Sequence, residues 1–277
     1  MSDDNVHELA FLRREVTRLR ERLTQRTAGL PTLLRRQGFT IYKKEPGDDL
    51  LLPAKKYLPP FYRMLHKYSF RLFLRDVIKH QDLFTLERVT RYSTPDVTRG
   101  YVDYLASVKL IHRAGGGYAL RRPIRSFGST LEWYIAELLE QEFGAEATWG
   151  VKFRRPKVGG DYDVLAKFEG ALLYAEVKSS PPKQIYDSEI TAFFDRVEDL
   201  APAIAIFLMD TELRMKDKIV PMFEAELKRR FAYPLPMTRL ERELFQVQDR
   251  TFIINAKESI AQNIGTVLSS YYKQHTP

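Results

Sequence analysis

The segment spanning residues 159–180 constrains the fold of this chain more than any other. It contains two runs rich in apolar and aromatic residues, 162–168 and 171–177, and only Glu169-Gly170 separates them. Two strand-like runs joined by a two-residue turn that contains glycine predict a β-hairpin. We therefore expect a β-sheet in the core of this part of the chain.

Polar residues mark the open end of this predicted hairpin. Asp163 begins the first strand, and Glu176 and Lys178 end the second. Side chains two apart in a strand share a face, and antiparallel pairing places these strand ends together, so the three side chains should converge. Two carboxylates and an ammonium suit phosphodiester hydrolysis assisted by Mg²⁺, which is held by one or two carboxylates and substrate phosphate. The alternative is a surface salt bridge, because Glu-x-Lys is a common sequence.

These residues resemble the motif of the PD-(D/E)XK nuclease superfamily, the restriction-endonuclease-like fold. The match comprises Asp163 in Gly-Gly-Asp-Tyr-Asp-Val-Leu, then Glu176 and Lys178 in Ala-Glu-Val-Lys, with Tyr162 where the motif has proline. The resemblance implies that Asp163 and Glu176 bind Mg²⁺ or Mn²⁺ and that Lys178 assists the nucleophile.

Two further acidic residues enter through the same resemblance. Glu132 looks like the glutamate that this family often carries on the helix before the hairpin, although Ser129 with Glu132 also fits a capping box. Asp161 is a rival for the role of Asp163. We prefer Asp163 because the hydrophobic strand begins immediately after it.

The predicted elements after residue 126 alternate between helix and strand. We expect a helix from Ser129 or Thr130 to Phe143, then strands at 147–154, 162–168 and 171–177. A helix at 185–200, a buried strand at 203–209, a helix at 216–231, a strand at 245–254 and a helix at 259–272 follow. The order α-β-β-β-α-β before residue 210 is the core order of the resembled fold, so residues 126–277 are predicted to form an α/β nuclease domain.

The positive charge of the chain is concentrated before this domain. The net charge is +8, and residues 56–125 contain 14 Lys and Arg against 5 Asp and Glu. Residues 126–277 contain 19 against 23. Such a shift in composition marks a domain boundary, and the basic segment is where a polyanion would bind.

The basic segment, residues 61–125, looks like a winged helix-turn-helix domain. Helices are predicted at 70–80, 85–91 and 94–107, followed by a hairpin around Gly115-Gly116-Gly117. The resemblance implies a third helix in the DNA major groove and a wing on the backbone. The DNA-binding residues would be Thr98 and Arg99 on the exposed face of that helix, with Arg113, Arg121 and Arg122 on the wing. The alternative is a winged helix that binds protein.

Residues 1–28 contain a heptad pattern formed by Leu9, Leu12, Val16, Leu19 and Leu23. This pattern predicts either a coiled-coil helix that makes a homodimer or an amphipathic helix packed on its own chain. Residues 29–60 are expected to form a connector with a small hairpin from 39–43 and 50–52.

Composition narrows the class of protein. The chain has no cysteine, which excludes disulfides and thiolate zinc sites, and no apolar run long enough to span a membrane. We expect a soluble cytoplasmic protein without a signal peptide. The predicted function is a metal-dependent deoxyribonuclease. The alternatives are an RNA-cleaving nuclease and a non-catalytic DNA-binding or scaffolding protein with a vestigial nuclease fold.

Overall fold

A computed structural model describes residues 28–154, 158–233 and 235–275, together with Leu12 and Glu15. The predicted N-terminal helix, and the homodimer expected through it, fall almost wholly outside these residues. Within them, no helix is long and apolar enough to cross a membrane.

An eight-stranded mixed sheet runs through the molecule in the order β1-β4-β5-β6-β7-β10-β9-β8. β6, β7 and β10 are mutually parallel, and the remaining neighbours are antiparallel. The strands are β1 (Ile41–Lys43), β4 (Glu146–Phe153), β5 (Tyr162–Phe168), β6 (Ala171–Lys178), β7 (Ile204–Met209), β8 (Met237–Glu241), β9 (Leu244–Val247) and β10 (Thr251–Asn255), and a separate two-stranded sheet consists of β2 (Ile111–Ala114) and β3 (Gly117–Leu120).

Helices cover both faces of the large sheet. They are α1 (Leu30–Arg36), α2 (Leu58–Leu65), α3 (Tyr68–Lys79), α4 (Leu86–Val89), α5 (Pro95–Ser107), α6 (Gly128–Phe143), α7 (Asp187–Leu200), α8 (Ile219–Arg230) and α9 (Ile260–His275). In one hydrophobic core, helices α2 through α6 and helix α9 pack on one face of the sheet. In a second core, helices α1, α7 and α8 pack on the other face. The protein is therefore a mixed α/β structure, with its elements α6-β4-β5-β6-α7-β7 in the predicted order.

The predicted hairpin is formed by β5 and β6. Its turn residues Glu169 and Gly170 have φ angles of 44° and 94°. Positive φ at both central positions is the geometry that matches the twist of paired strands, and glycine adopts it without steric cost. β6 is buried along most of its length because helices cover both of its faces and β5 and β7 flank it.

Two predicted strand arrangements are wrong. Residues 50–52 form no strand, so the connector has no hairpin. Instead β1 pairs with β4 and extends the large sheet, while Leu51 is buried in the core on the helix-rich side. The single strand predicted at 245–254 is two antiparallel strands, β9 and β10, because the chain turns near Gln248, whose φ is 51°.

The basic segment contains the end of α2 and then three further helices, α3 to α5, followed by the β2–β3 hairpin. The predicted exposure of Thr98 is wrong: its side chain is fully buried, and its hydroxyl donates to the Thr94 carbonyl oxygen at 3.1 Å. The neighbouring side chain of Val97 is 43% exposed instead. The Thr98 hydroxyl also lies 2.8 Å from Ser93 Oγ, so this side chain is held against the chain that precedes α5 and does not face solvent.

Candidate active site

The open end of the β5–β6 hairpin gathers the residues of the predicted site. Val164 pairs with Ala175, and continuing this register places Asp163 opposite Glu176. The Val177 N–H donates to Asp163 Oδ2 at 2.7 Å, and Lys178 Nζ lies 2.8 Å from Glu176 Oε1. The structure therefore brings Asp163, Glu176 and Lys178 together.

Glu176 lies at the centre of this group. Its side chain is only 4% exposed. Oε1 faces Lys178, whereas Oε2 accepts from Arg196 Nη1 at 3.2 Å and from the Tyr174 hydroxyl. Two cations and a phenol therefore stabilise its negative charge in a site that water barely reaches, as a buried carboxylate requires.

Lys178 is held by two carboxylates. Its Nζ lies 3.2 Å from Oε1 of Glu189 in the first turn of α7, and Glu189 Oε2 accepts from the Tyr186 N–H at 3.0 Å. Burial favours a lower pKa for Lys178, but Glu176 and Asp163 outweigh it and raise the pKa above the ordinary value. Lys178 is therefore an ammonium at neutral pH, and it can donate hydrogen bonds and positive charge but cannot act as a general base.

Arg196 belongs to the site, and the sequence analysis missed it. Besides Glu176, its guanidinium contacts the loop before β5, where Nη2 lies 3.5 Å from the Gly159 carbonyl oxygen. A Cβ on Gly160, whose φ is +98°, would lie 2.5 Å from the same nitrogen. One feature of the sequence could have identified Arg196. It lies two helical turns after Glu189 on α7, beside apolar residues that pack on the sheet.

Glu132 on α6 faces the same group of charges. Burial raises its pKa to about 7, and the charges of Asp161 and Glu176 add to this effect. Its Oε2 lies beside β4, 3.7 Å from where a Cβ on Gly150 would stand. The capping-box alternative is not observed, because α6 begins at Gly128 and its N-cap residue is Phe127.

The two rival aspartates occupy different environments. Burial and the charges of Glu176 and Glu132 hold the pKa of Asp163 well above its ordinary value. Asp161 is partly exposed and forms an ion pair with Lys152 at 2.9 Å. Asp163 is therefore the aspartate inside the cluster, and Asp161 lies at its edge.

Asp163 and Glu176 are the two carboxylates of this cluster that would hold a hard divalent cation. Asp163 and Glu176 stand opposite one another on paired strands, where Cβ atoms are about 5 Å apart. Across residues 28–154, 158–233 and 235–275, no group of three or more His, Cys, Asp or Glu is arranged to hold an ion. The remaining ligands would thus be water and substrate phosphate, which is how Mg²⁺ is usually bound.

The remaining predicted residues lie away from this cluster. Arg99, Arg113 and Arg121 are exposed on α5 and around the β2–β3 hairpin. Arg113 lies over the Tyr118 ring at 5.7 Å. Arg122 is exposed too, but its guanidinium donates to the Leu50 carbonyl oxygen and therefore also ties the hairpin to the connector.

Glu132→Gln should stabilise the protein at alkaline pH. The ordinary pKa of a glutamate is 4.5 and that of native Glu132 is about 7. Between these values the native state binds more protons than the unfolded state, so stability falls as pH rises. At about 1.4 kcal/mol per pKa unit, the variant should gain up to about 3 kcal/mol near pH 8 and nothing near pH 4.

Urea unfolding in EDTA at both pH values measures this effect. Glu224→Gln is the matched control, because Glu224 is exposed on α8. An equal change in the two variants, or a Glu132→Gln gain that is independent of pH, would show that Glu132 is not destabilised by its neighbours.

No protein-family model and no curated protein matches the chain. Among solved structures, Can2 from Sulfobacillus thermosulfidooxidans in complex with cyclic tetra-adenylate is similar at 19% identity and a TM-score of 0.43, over 65% of this chain and 50% of that one. Protein VC1899 from Vibrio cholerae is similar at 16% identity and a TM-score of 0.47, over 88% and 61%. The chain spans less than two thirds of the length of either protein.

Proposed function

We propose that this protein is a metal-dependent nuclease that hydrolyses nucleic-acid phosphodiester bonds. The observation that supports it best is the cluster of Asp163, Glu176 and Lys178 at a hairpin end, with Glu132 beside it. The pKa values of Glu132 and Asp163 are raised by burial and by neighbouring carboxylates. Acidic groups with such raised pKa values are common in functional sites, whereas a surface salt bridge does not require them.

Each residue has a distinct role in this proposal. Asp163 and Glu176 would hold Mg²⁺ or Mn²⁺, and a bound ion supplies Lewis-acid chemistry and an activated water. Lys178 is a fixed ammonium that orients the attacking water or offsets charge that develops on the phosphate. Glu132 holds its proton up to about pH 7, so at neutral pH it can accept or donate one.

The basic segment would supply affinity for DNA. Its three helices and the β2–β3 hairpin follow the element order of a winged helix, and Arg99, Arg113 and Arg121 are exposed on them. We place the proposed DNA-binding domain at residues 61–125 and the nuclease domain at 126–277. Thr98 is not among the proposed contacts, because its side chain is buried.

Arg99→Ala and Arg113→Ala should weaken DNA binding without abolishing cleavage at saturating DNA. Each lost phosphate contact should reduce the slope of log K against log salt by about 0.9. Fluorescence anisotropy over a salt series measures the slope, with Arg35→Ala on α1 as an exposed control outside this segment. Unchanged slopes in both variants would assign the segment to a protein partner.

A substrate panel tests the proposed activity directly. Purified protein would be incubated with supercoiled, linear and single-stranded DNA and with RNA, each with Mg²⁺, with Mn²⁺ or with EDTA. We expect cleavage of DNA that requires the metal and is absent in the Glu176→Gln variant. Cleavage of RNA but not of DNA would support a nuclease whose substrate is RNA.

One observation favours a second candidate, a non-catalytic nucleic-acid-binding protein. Both oxygens of Glu176 already face partners, namely Lys178, Arg196 and the Tyr174 hydroxyl. An ion could bind Glu176 only if one of these contacts loosened. Absence of Mg²⁺ binding by calorimetry, together with absence of cleavage across the panel, would decide for this candidate.

A further inference from the structure

A cleft of about 600 Å³ opens beside the candidate active site. Its lining comes from α3, from the chain after α4, and from the segments that follow the carboxyl ends of β6 and β7. Ser179 and Ser180, which follow Lys178 directly, form part of its wall. The cleft therefore extends from the basic segment to the residues that directly follow the proposed catalytic lysine.

Two of the residues that line the cleft contain buried polar atoms without a hydrogen-bond partner. Arg75 and Asp76 both line it. Within the described part of the chain, the buried Nε of Arg75 and the buried Oδ2 of Asp76 have no hydrogen-bond partner. Buried polar atoms without partners cost free energy and are rare in native proteins.

The rim of the cleft carries exposed cations, an exposed aromatic ring and one exposed carboxylate, that of Glu212. Lys79 and Arg91 are exposed there, and neither forms an ion pair with another described residue. Tyr92 is 43% exposed, and the Arg91 guanidinium lies 5.4 Å from the centre of its ring. Proteins that bind single-stranded nucleic acid combine these two features, because cations follow the backbone and aromatic rings stack on bases.

We propose that this cleft binds a single-stranded segment of nucleic acid and guides it to the hairpin end. One base would stack on Tyr92, and Lys79 and Arg91 would contact the phosphates on either side of it. A duplex does not suit the cleft, since its bases are already stacked on one another and offer Tyr92 no free face. This inference rests on the proposed nuclease function, because the bound strand is the substrate of the same site.

Anisotropy of a short fluorescent oligonucleotide in EDTA tests the inference without cleavage. In Tyr92→Ala, loss of a stacked base at about 1–3 kcal/mol should raise the Kd for single strands roughly 5- to 150-fold. In Lys79→Ala/Arg91→Ala, the slope of log K against log salt should fall by about 0.7 for each lost phosphate contact. The matched controls are Tyr42→Ala, whose ring is 58% exposed outside the cleft, and Arg35→Ala/Arg36→Ala on α1.

The outcomes separate this inference from the proposed function. Unchanged single-strand binding in both cleft variants, or an equal loss for single strands and duplex, would overturn the cleft assignment while leaving the nuclease intact. Selective loss of single-strand binding in the cleft variants would support the cleft assignment. This support would hold even if no substrate of the panel were cut, because absence of cleavage would overturn only the proposed nuclease activity. Thermal unfolding and circular dichroism that match wild type exclude misfolding as the cause.

Discussion

Cleavage should fall by about 10²–10³-fold or more in the Asp163→Asn and Glu176→Gln variants. Each amide keeps the shape of the side chain but loses the negative charge that would hold a divalent cation. Two acidic groups offset the reluctance of Mg²⁺ to lose water, so either variant should also lose most of its Mg²⁺ affinity. Calorimetry in Mg²⁺ and cleavage assays in Mg²⁺ and Mn²⁺ measure the two effects separately.

Lys178→Ala should behave differently from the carboxylate variants. Metal binding should persist, because both carboxylates remain, while the rate falls about 10²-fold for want of a positive partner for the water or the phosphate. A Lys178→Ala variant that loses metal binding as completely as Asp163→Asn would mean that the lysine organises the carboxylates and plays no direct part in the reaction.

Asp161→Asn is the matched control for this series. Asp161 is an aspartate two residues from Asp163 in the same segment, but it pairs with Lys152 at the edge of the site. Its variant should cleave within a few-fold of wild type. If Asp161→Asn is inactive and Asp163→Asn is active, the metal-binding aspartate is Asp161, and the assignment is wrong by two residues.

Local sequence patterns predicted the hairpin and the residues at its end. The distance along the chain from Asp163 to Lys178 is short, and a two-residue turn fixes the register, so the convergence follows from strand geometry alone. The order of helices and strands around it follows equally from local periodicity. These features could be predicted from the sequence because each depends on neighbours within a few residues.

Contacts between distant segments could not be predicted from local sequence patterns. Arg196 meets Glu176 only because α7 packs on the face of the sheet where Glu176 lies, which no local pattern specifies. The place of β1 beside β4 has the same origin, since an edge strand finds its partner through tertiary packing. Thr98 was misplaced because tertiary packing, and not a local pattern, decides which face of α5 is turned inward: Thr98 is buried and Val97 is exposed.

A buried ion pair between Arg71 and Asp210 is another contact between distant segments. These residues are 139 positions apart, yet Arg71 Nε and Nη2 donate to Asp210 Oδ1 at 2.9 and 2.8 Å. Arg75 contacts the other oxygen. The Asp210 N–H donates to the Lys178 carbonyl oxygen at 2.8 Å, so the pair connects α3 of the basic segment to the sheet beside the candidate site.

Asp210→Asn should destabilise the protein by about 3–5 kcal/mol, because it leaves Arg71 as a buried cation without a counterion. The Arg71 side chain is only 2% exposed. Asp217→Asn is the matched control: Asp217 pairs with Arg214 at 3.8 Å, both side chains are more than 60% exposed, and removing such a pair costs about 1 kcal/mol or less. Urea unfolding at neutral pH measures both.

The pH dependence of the same variant provides an independent check. Burial alone would raise the pKa of Asp210, but Arg71 and Arg75 lower it below the ordinary value. A lowered pKa contributes stability above the pKa of the unfolded state, about 3.9, and this stability is lost as pH falls through the native pKa. The difference between wild type and Asp210→Asn should therefore shrink in strong acid.

Replacing both partners separates the value of the pair from the cost of breaking it. In Arg71→Met/Asp210→Leu neither buried charge remains, and Arg75, which is 20% exposed, keeps access to water. The double variant should therefore recover part of the stability that Asp210→Asn loses. A double variant less stable than Asp210→Asn would show that the pair itself, and not the absence of unpaired charge, holds α3 against the sheet.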